Sequence, residues 1–486
     1  MGLTVLTYNS CKEKNLDVAP TFLTEDAYFT DETEFERAVR AIYAKMTDFY
    51  WYATIEAGSL VIFTQLPGDD ITTQGDRPQE IFSTLNPSDG IVNRYYRAAY
   101  QLINRANVVL EKGANTTAYK SEELKKRHRG EALFLRGMMY YYIYNYFGTS
   151  PLILERIGDL AQTTQPGTTD TQLIDQSIKD LTEAATLLPT TWDDQSRGRA
   201  TANSANGYLG RALMARGSIK KTNADFTAAI AAIDKIKGVS LVAKFGDNFL
   251  PDTENNAESL FEFQASQPGF DNVWLSNDFG APNGSMSAYW GFYENHWSIF
   301  GGFPFIATQK LIKAYEVGDP RKAITLSDTT GAIKKYVTGD RKSQSGVGSV
   351  NNPRLLRYAD VLLLKAEALV QSGGSLTDAI ALVNQVRTRA RSMVTGGTVP
   401  ANRPTSADKA QVLTWIMNER FIELAGEGDR WLDLRRWHLN GLIQLNTNFF
   451  SSANSKTNFD PAKNLLMPIP TGEIDLNPNV KQNPGY

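Results

Sequence analysis

Two stretches of this chain repeat one plan, a helix carrying small residues, a short turn, and a second helix carrying small residues. In ANSANGYLGRALMARGSIKKTNADFTAAIAAIDKI (202–236) the first helix has Ala205, Gly210, Ala212 and Ala215, and the second has Ala228, Ala229 and Ala232. In RYADVLLLKAEALVQSGGSLTDAIALVNQVRTRA (357–390) Ala366 and Ala368 precede a Gly373-Gly374 turn, and Ala379 and Ala381 follow it. Small side chains at helical spacing let two helices approach closely, and a unit of about 34 residues built this way is the mark of a tetratricopeptide-type hairpin. Such hairpins bury their apolar faces by stacking on neighbours, so the expected fold is all-α. An unrelated helical bundle is the alternative.

Helical periodicity also covers 35–53, 92–113, 121–148 and 173–189. Ser121 with Glu122 and Glu123 behind it predicts a helix start, and Gly148 followed by Pro151 predicts its stop. Strand-like alternation is scarce. Between Gly238 and Pro353 the helical pattern fades except in 307–321, which reads as helix. Gly, Asn, Ser, Pro and aromatic residues mix there, and so long a stretch of weak periodicity points to function rather than connection. The expected organisation is therefore residues 1–10 as the remnant of a signal peptide, a helical region over 11–240, a loop-rich ligand-binding region over 241–353, and a second helical region over 354–486.

Composition removes several classes of function. The formal charge of −3, from 50 Lys+Arg against 53 Asp+Glu, provides no basic field for nucleic acid. With one cysteine there is no internal disulfide, and His128, His296 and His438 are too scattered to suggest a zinc site. No cofactor motif is found: the chain lacks a Walker A loop, G-x-G-x-x-G, G-x-S-x-G and H-E-x-x-H. Cys11 follows the apolar-to-small run GLTVLTYNS, and Ser10-Cys11 has the form of a lipoprotein processing site, although a charged leader is missing and Tyr8 replaces the usual Leu.

The densest charge lies in NERFIELAGEGDRWLDLRRW (418–437). On a helix Glu419, Glu423 and Glu427 would share a face, Gly426 and Gly428 would break it, and Arg430, Trp431, Asp433, Arg435, Arg436 and Trp437 would follow on a second piece. Arginines beside carboxylates and indoles suit bidentate pairing and stacking, which fix one element against another. Catalysis near neutrality would draw on a titrating group, and only His438 is close by. The segment is accordingly expected to be structural, with Glu423 and Arg430 as partners of each other in a pair whose disruption, if it is buried, costs several kcal/mol.

This stretch resembles the C-terminal hallmark of the SusD/RagB family of Bacteroidetes outer-membrane lipoproteins. EALFLRGMMYYYIYNYFGTSPLI (131–153), LLRYADVLLLKAEAL (355–369) and LLMPIPTGEIDLNPNVKQNPGY (465–486) are similar to the same family, in the same order. Gly426 departs from the larger apolar residue often found at that position. The resemblance implies tetratricopeptide-like hairpins carrying a loop-rich remainder, and a surface protein that binds nutrient, most often a glycan. It further implies a SusC-like TonB-dependent transporter as partner, and anchoring to the outer membrane through a lipidated Cys11 followed by Lys12-Glu13.

Family resemblance does not fix the ligand contacts, so these are read from chemistry. Pyranose rings offer flat C–H faces to aromatic rings, and their hydroxyls need partners that donate and accept. The segment 268–303 supplies Trp274, Asn277, Tyr289, Trp290, Tyr293 and Trp297, with Asn295 among them. A second segment, 64–82, supplies Asp69, Asp70, Gln74, Arg77 and Phe82. Burial of these aromatics over the helical core is the alternative for each. Three other functions stay open at this stage: a glycosidase using Asp69 and Asp70 as its carboxyl pair, a peptide-binding relative, and a scaffold that binds protein alone.

Overall fold

In the computed structural model the residues described are 28–50, 61–73, 82, 84–265, 305–337, 350–451 and 458–486. The helix boundaries follow the capping chemistry of the sequence. Ser121 Oγ accepts from Leu124 N at 3.1 Å, and the helix it starts ends at Gly148, whose φ is 68°. The main helices are α1 (Glu32–Lys45), α2 (Gly90–Ala114), α3 (Glu122–Phe147), α4 (Gln172–Leu187), α5 (Ala202–Lys220), α6 (Asn223–Ile233), α7 (Tyr358–Ser372), α8 (Leu376–Ser392), α9 (Lys409–Glu423) and α10 (Arg430–Asn440). From α1 to α8 each packs on the next, and α9 packs on both α7 and α8. This is the tetratricopeptide-like, all-α stack that the hairpin pattern predicts.

Small residues set the spacing of the stack. A Cβ at Gly137 in α3 would lie 3.0 Å from Asp180 Cβ and Leu181 Cγ of α4. One at Gly210 in α5 would lie 2.9 Å from Ile233 Cγ1 of α6. Larger side chains there would push the hairpins apart. One hydrophobic core runs from Val39 to Val480, and a second lies among α7, α8 and α9 around Leu363, Val383 and Ile416.

Short helices and four short strands, β1 (Ile71–Thr72), β2 (Ser259–Glu262), β3 (Ile306–Ala307) and β4 (Arg354–Arg357), accompany the stack among the described residues. β1 pairs antiparallel with β3, and β2 with β4. The helix expected over 307–321 is shorter, Gln309–Ala314, because Ala307 is held in the β1–β3 pair and the chain turns at Gly318, whose φ is 91°.

The Asn418–Trp437 stretch forms the charged centre on which α5, α7, α8, α9 and α10 meet. Glu423 accepts from Arg357 Nη1 at 2.8 Å, from Arg321 Nη1 at 2.9 Å, and from Arg389 Nη2. Glu419 joins Arg321 at 2.6 Å to Arg387 at 2.8 Å. Glu427 has left the helix, as the glycines require, and binds Arg357 Nε at 2.7 Å and Lys335 Nζ at 2.8 Å. A second knot holds α10: Arg420 bridges Asp433 and Asp360 at 2.7 Å each, and Arg436 binds Glu367 and Asp433. Trp437 Nε1 donates to the same Glu367 at 3.0 Å. Glu423, Glu367, Arg357 and Trp437 are all buried.

Burying this many ions is favourable only because each has opposite charge and hydrogen bonds in place. Burial alone would raise the Glu423 carboxyl, but Arg389, Arg357 and Arg321 outweigh it and hold the group well below the usual carboxylate range. Asp360 is lowered in the same way by Arg211 and Arg420. Asp429 moves oppositely. Its burial, with Asp360 and Asp433 nearby, outweighs an ion pair to Arg211 at 2.5 Å and pushes its carboxyl up to about 7.

Two outcomes follow from these ions. Glu423→Ala leaves several guanidinium groups facing one another without their carboxylate, and denaturant unfolding should show a loss of about 3–5 kcal/mol; an unchanged midpoint would contradict the cage. In pH titration, carboxylates with lowered pKa stabilise the fold above their unfolded value and lose that contribution on acidification, so stability should fall steeply below about pH 4. Asp429 has the opposite sign: its native form keeps a proton that the unfolded chain releases, so it lowers stability as pH rises from about 4 to about 7. Asp429→Asn should flatten that limb and leave the acid limb in place, as read by melting temperature across the range.

Candidate functional site

The antiparallel register of β1 and β3 joins the two segments that the sequence offers as ligand contacts. Ile71 faces Ala307 and Thr72 faces Ile306. The chain continuing beyond Thr72 toward Gln74 and Arg77, and the chain arriving at Ile306 from 268–303, therefore leave this ribbon at the same end. Trp274, Asn277, Tyr289, Trp290, Tyr293 and Trp297 lie outside the described residues, as do Asn295, Gln74, Arg77 and Cys11.

The three remaining candidates, Asp69, Asp70 and Phe82, are part of the foundation and not of a ligand surface. Asp69 is fully buried and accepts from Arg430 Nε and Lys310 Nζ at 2.5 Å each. Burial opposes its ionisation, but Arg430 and Lys310 prevail and hold the carboxyl well below its ordinary value. Asp70 is buried as well, and its Oδ2 accepts from Gly426 N at 3.2 Å. Phe82 is fully buried in an aromatic cluster with Trp431, Phe450 and Phe459, its ring 5.1 Å from Phe459. These side chains face protein because the ion pairs and ring contacts that fix the ribbon consume them. Both carboxylates of the glycosidase alternative are buried in contacts with protein, Asp69 against Arg430 and Lys310 and Asp70 against Gly426 N.

The same contacts show what the charged stretch does for the site. Arg430 is not the partner of Glu423: it opens α10, binds Asp69, and lies 4.4 Å from the Phe421 ring centroid and 5.1 Å from that of Trp437. Gln65 Nε2 donates to Gly426 O at 3.2 Å, and the Asp69 and Asp70 carbonyls accept from Thr308 Oγ1 at 2.8 Å and Thr308 N at 2.9 Å. Gly426, the departure from the family pattern, has a φ of 76°, a backbone conformation that suits glycine and that lets its N–H reach Asp70. Behind this stitching Gly426, Glu427 and Asp429 line a partly open cavity of about 60 Å³ with Met138, Met139 and Tyr142.

Sequence reasoning did not identify Lys310, Thr308, Arg321, Arg357 or Arg389 as partners. Thr308 had a readable signal, a hydroxyl residue ahead of a short helix whose Leu311 N it caps at 3.2 Å. Lys310, Arg357 and Arg389 had none, because their partners are distant in sequence; Arg321 has a local partner in Asp319, at 2.7 Å, but Glu419 and Glu423 lie about a hundred residues away. Among the described residues no cluster of His, Cys, Asp or Glu is arranged to hold a metal ion.

Two family descriptions match the chain, "SusD family" over residues 286–486 and "Starch-binding associating with outer membrane" over residues 16–214. SusD-like protein P2 of Formosa agariphila is 25% identical over 99% of this chain and 98% of its own length. Among solved structures, a laminarin binding SusD-like protein superposes with a TM-score of 0.75 at 25% identity, covering 94% of this chain and 100% of that one. Surface glycan-binding protein A from Bacteroides fluxus gives a TM-score of 0.74 at 23% identity, with the same coverage of each chain. With both halves matched by family descriptions, a full-length relative and the same helical stack, the chain belongs to the SusD/RagB family.

Proposed function

We propose that this protein is a cell-surface glycan-binding lipoprotein that captures an oligosaccharide or polysaccharide and delivers it to a SusC-like TonB-dependent transporter. The observation that carries the reading is the β1–β3 ribbon, which roots two segments of saccharide-compatible composition side by side. The laminarin-binding and surface glycan-binding neighbours support a glycan as ligand, and a description that couples starch binding with the outer membrane supports the location. Trp274, Trp290 and Trp297 stack on sugar rings, Trp290 foremost because Gly291 and the Gly/Ser/Asn run before it leave it thinly covered in sequence. Asn277, Gln74 and Arg77 bond the hydroxyls, and Tyr289 and Tyr293 extend the aromatic surface. The function is capture without hydrolysis, in keeping with an Asp69–Asp70 pair committed to structure.

No helix among the described residues is long and apolar enough to cross a membrane. We place the attachment at Cys11, through acyl chains that each contribute about 0.8 kcal/mol per buried CH₂.

A glycan array followed by affinity electrophoresis tests the ligand. Replacing Trp290 by Ala should weaken binding by about 1–3 kcal/mol, by analogy with base stacking on aromatic platforms, and neutral contacts should make affinity insensitive to moderate salt. The bound glycan should be recovered intact. Retention of full affinity by folded Trp274→Ala, Trp290→Ala and Trp297→Ala variants would place the site elsewhere, and binding confined to peptides would reassign the ligand.

For the anchor, Cys11→Ala should release the chain from outer membranes in cells lacking the transporter. Continued partitioning there would exclude a lipid at that residue.

A further inference from the structure

One carboxyl beneath the ribbon stands where the ion pairs meet the cavity. Asp429 lies between Gly428 and Arg430, just ahead of α10, and lines the cavity with its side chain 18% exposed. Its Oδ2 accepts from Arg211 Nη2 at 2.5 Å, and the same nitrogen donates to Asp360 Oδ2 at 2.6 Å. Two carboxylates thus meet at one guanidinium nitrogen. Asp360 has a second cation in Arg420, at 2.7 Å, and Asp433, the other anion nearby, has both Arg420 and Arg436. Among the described residues Asp429 forms an ion pair with Arg211 alone. Like charges this close oppose each other's ionisation, so the carboxyl with the fewest cations is the one that keeps a proton.

Most other ionisable groups around the cavity are committed elsewhere. Glu427 binds Arg357 and Lys335, Arg354 donates to Asn351 Oδ1 at 2.6 Å, and Tyr142 shares a hydrogen bond of 3.1 Å with Tyr208. Burial keeps the Tyr336 phenol in its neutral form. The hydroxyls of Tyr50 and Tyr95 and the Oδ1 of Asp429 differ: they have no hydrogen-bond partner among the described residues, and none of the three is closed off from solvent. A water needs roughly 10–15 Å³ and two to four polar partners, which a space of about 60 Å³ beside two phenols and a carboxyl supplies. Burial, with Asp360 and Asp433 close by, pushes the Asp429 carboxyl up to about 7, as the shared guanidinium requires.

We propose that this cavity is an internal proton-binding site, in which water held by Tyr50 and Tyr95 serves Asp429, and that the bound proton latches the Gly426–Arg430 turn on which the ribbon rests. Opening the turn brings Asp429 into solvent, where an ordinary carboxyl gives its proton to water. Opening therefore becomes more favourable as pH rises from about 4 to about 7 and is independent of pH above that. Because the turn holds Asp70 through Gly426 N and Asp69 through Arg430, its opening loosens β1 and, through Thr308, β3. The latch depends on no ligand.

Hydrogen exchange of the full chain, read by mass spectrometry between about pH 4 and about pH 8 and corrected for the intrinsic pH dependence of amide exchange, tests it. Peptides covering 424–433, 66–73 and 305–312 should lose protection as pH rises, by up to about tenfold per pH unit for one proton released, and level off near pH 7. Their protection should stay below that of α4 at every pH, which marks the opening as local. Asp429→Asn, neutral throughout, should abolish the dependence and keep the protection of mild acid. Tyr95→Phe retains the ring but takes one hydroxyl from the water, so it should move the levelling-off to higher pH; it carries the test if Asp429→Asn does not fold. The proposal is overturned if the corrected protection is independent of pH, if Asp429→Asn keeps the dependence, if Tyr95→Phe leaves the levelling-off in place, or if the turn and ribbon exchange only as slowly as α4.

Discussion

A carboxylate with three guanidinium partners organises this molecule. Glu423 closes α9 and draws Arg321, Arg357 and Arg389 to one point. Those arginines come from a short helix, the end of β4 and α8, so one charge fixes three elements that share no turn. Removing water from such a cluster is expensive, and the expense sets the geometry: the guanidinium planes must lie where their hydrogen bonds close. The hydrophobic stack gives the protein its bulk, and the cage fixes α8, α9 and the end of β4 in a single registration.

From that centre the order passes outward to the surface through Gly426–Arg430. Once α9 is fixed, the turn presents Gly426 N to Asp70 and Arg430 to Asp69, and the two aspartates in turn position Thr308 beside their carbonyls. The β1–β3 ribbon is two residues long on each side, too short to hold by its own ladder. It is held by buried ion pairs from beneath, with the Phe82, Trp431 and Phe459 rings close by.

Periodicity and capping made the helical stack legible, because a hairpin such as α5–α6 carries its own instructions: small residues at the contact, Thr201 and Thr222 at the starts, a turn between. The structural role of 418–437 was legible for a related reason, since so many paired charges beside indoles have few other uses. The roles of Asp69, Asp70 and Phe82 were not. A Gly-Asp-Asp turn reads as a solvated loop, and only contacts made across 361 residues turn Asp69 into a buried anion. The same holds for the pairing of Arg430, which local sequence assigns to its own neighbourhood and the fold assigns to Asp69. Local pattern reports what a segment can do alone, whereas these residues are defined by partners from other parts of the chain.

The two-residue ribbon has an evolutionary consequence. The described partners of the Glu423 carboxylate are Arg321, Arg357 and Arg389, and none of them belongs to the segments that extend beyond the ribbon. Changes in 74–81 and 268–303 remove none of these three ion pairs, whereas a change at Arg357 removes one of them directly. A lineage built on this scaffold can drift in the segments it displays while the charged centre stays under purifying selection. In relatives about one quarter identical to this chain, divergence should therefore concentrate beyond the ribbon and identity beneath it.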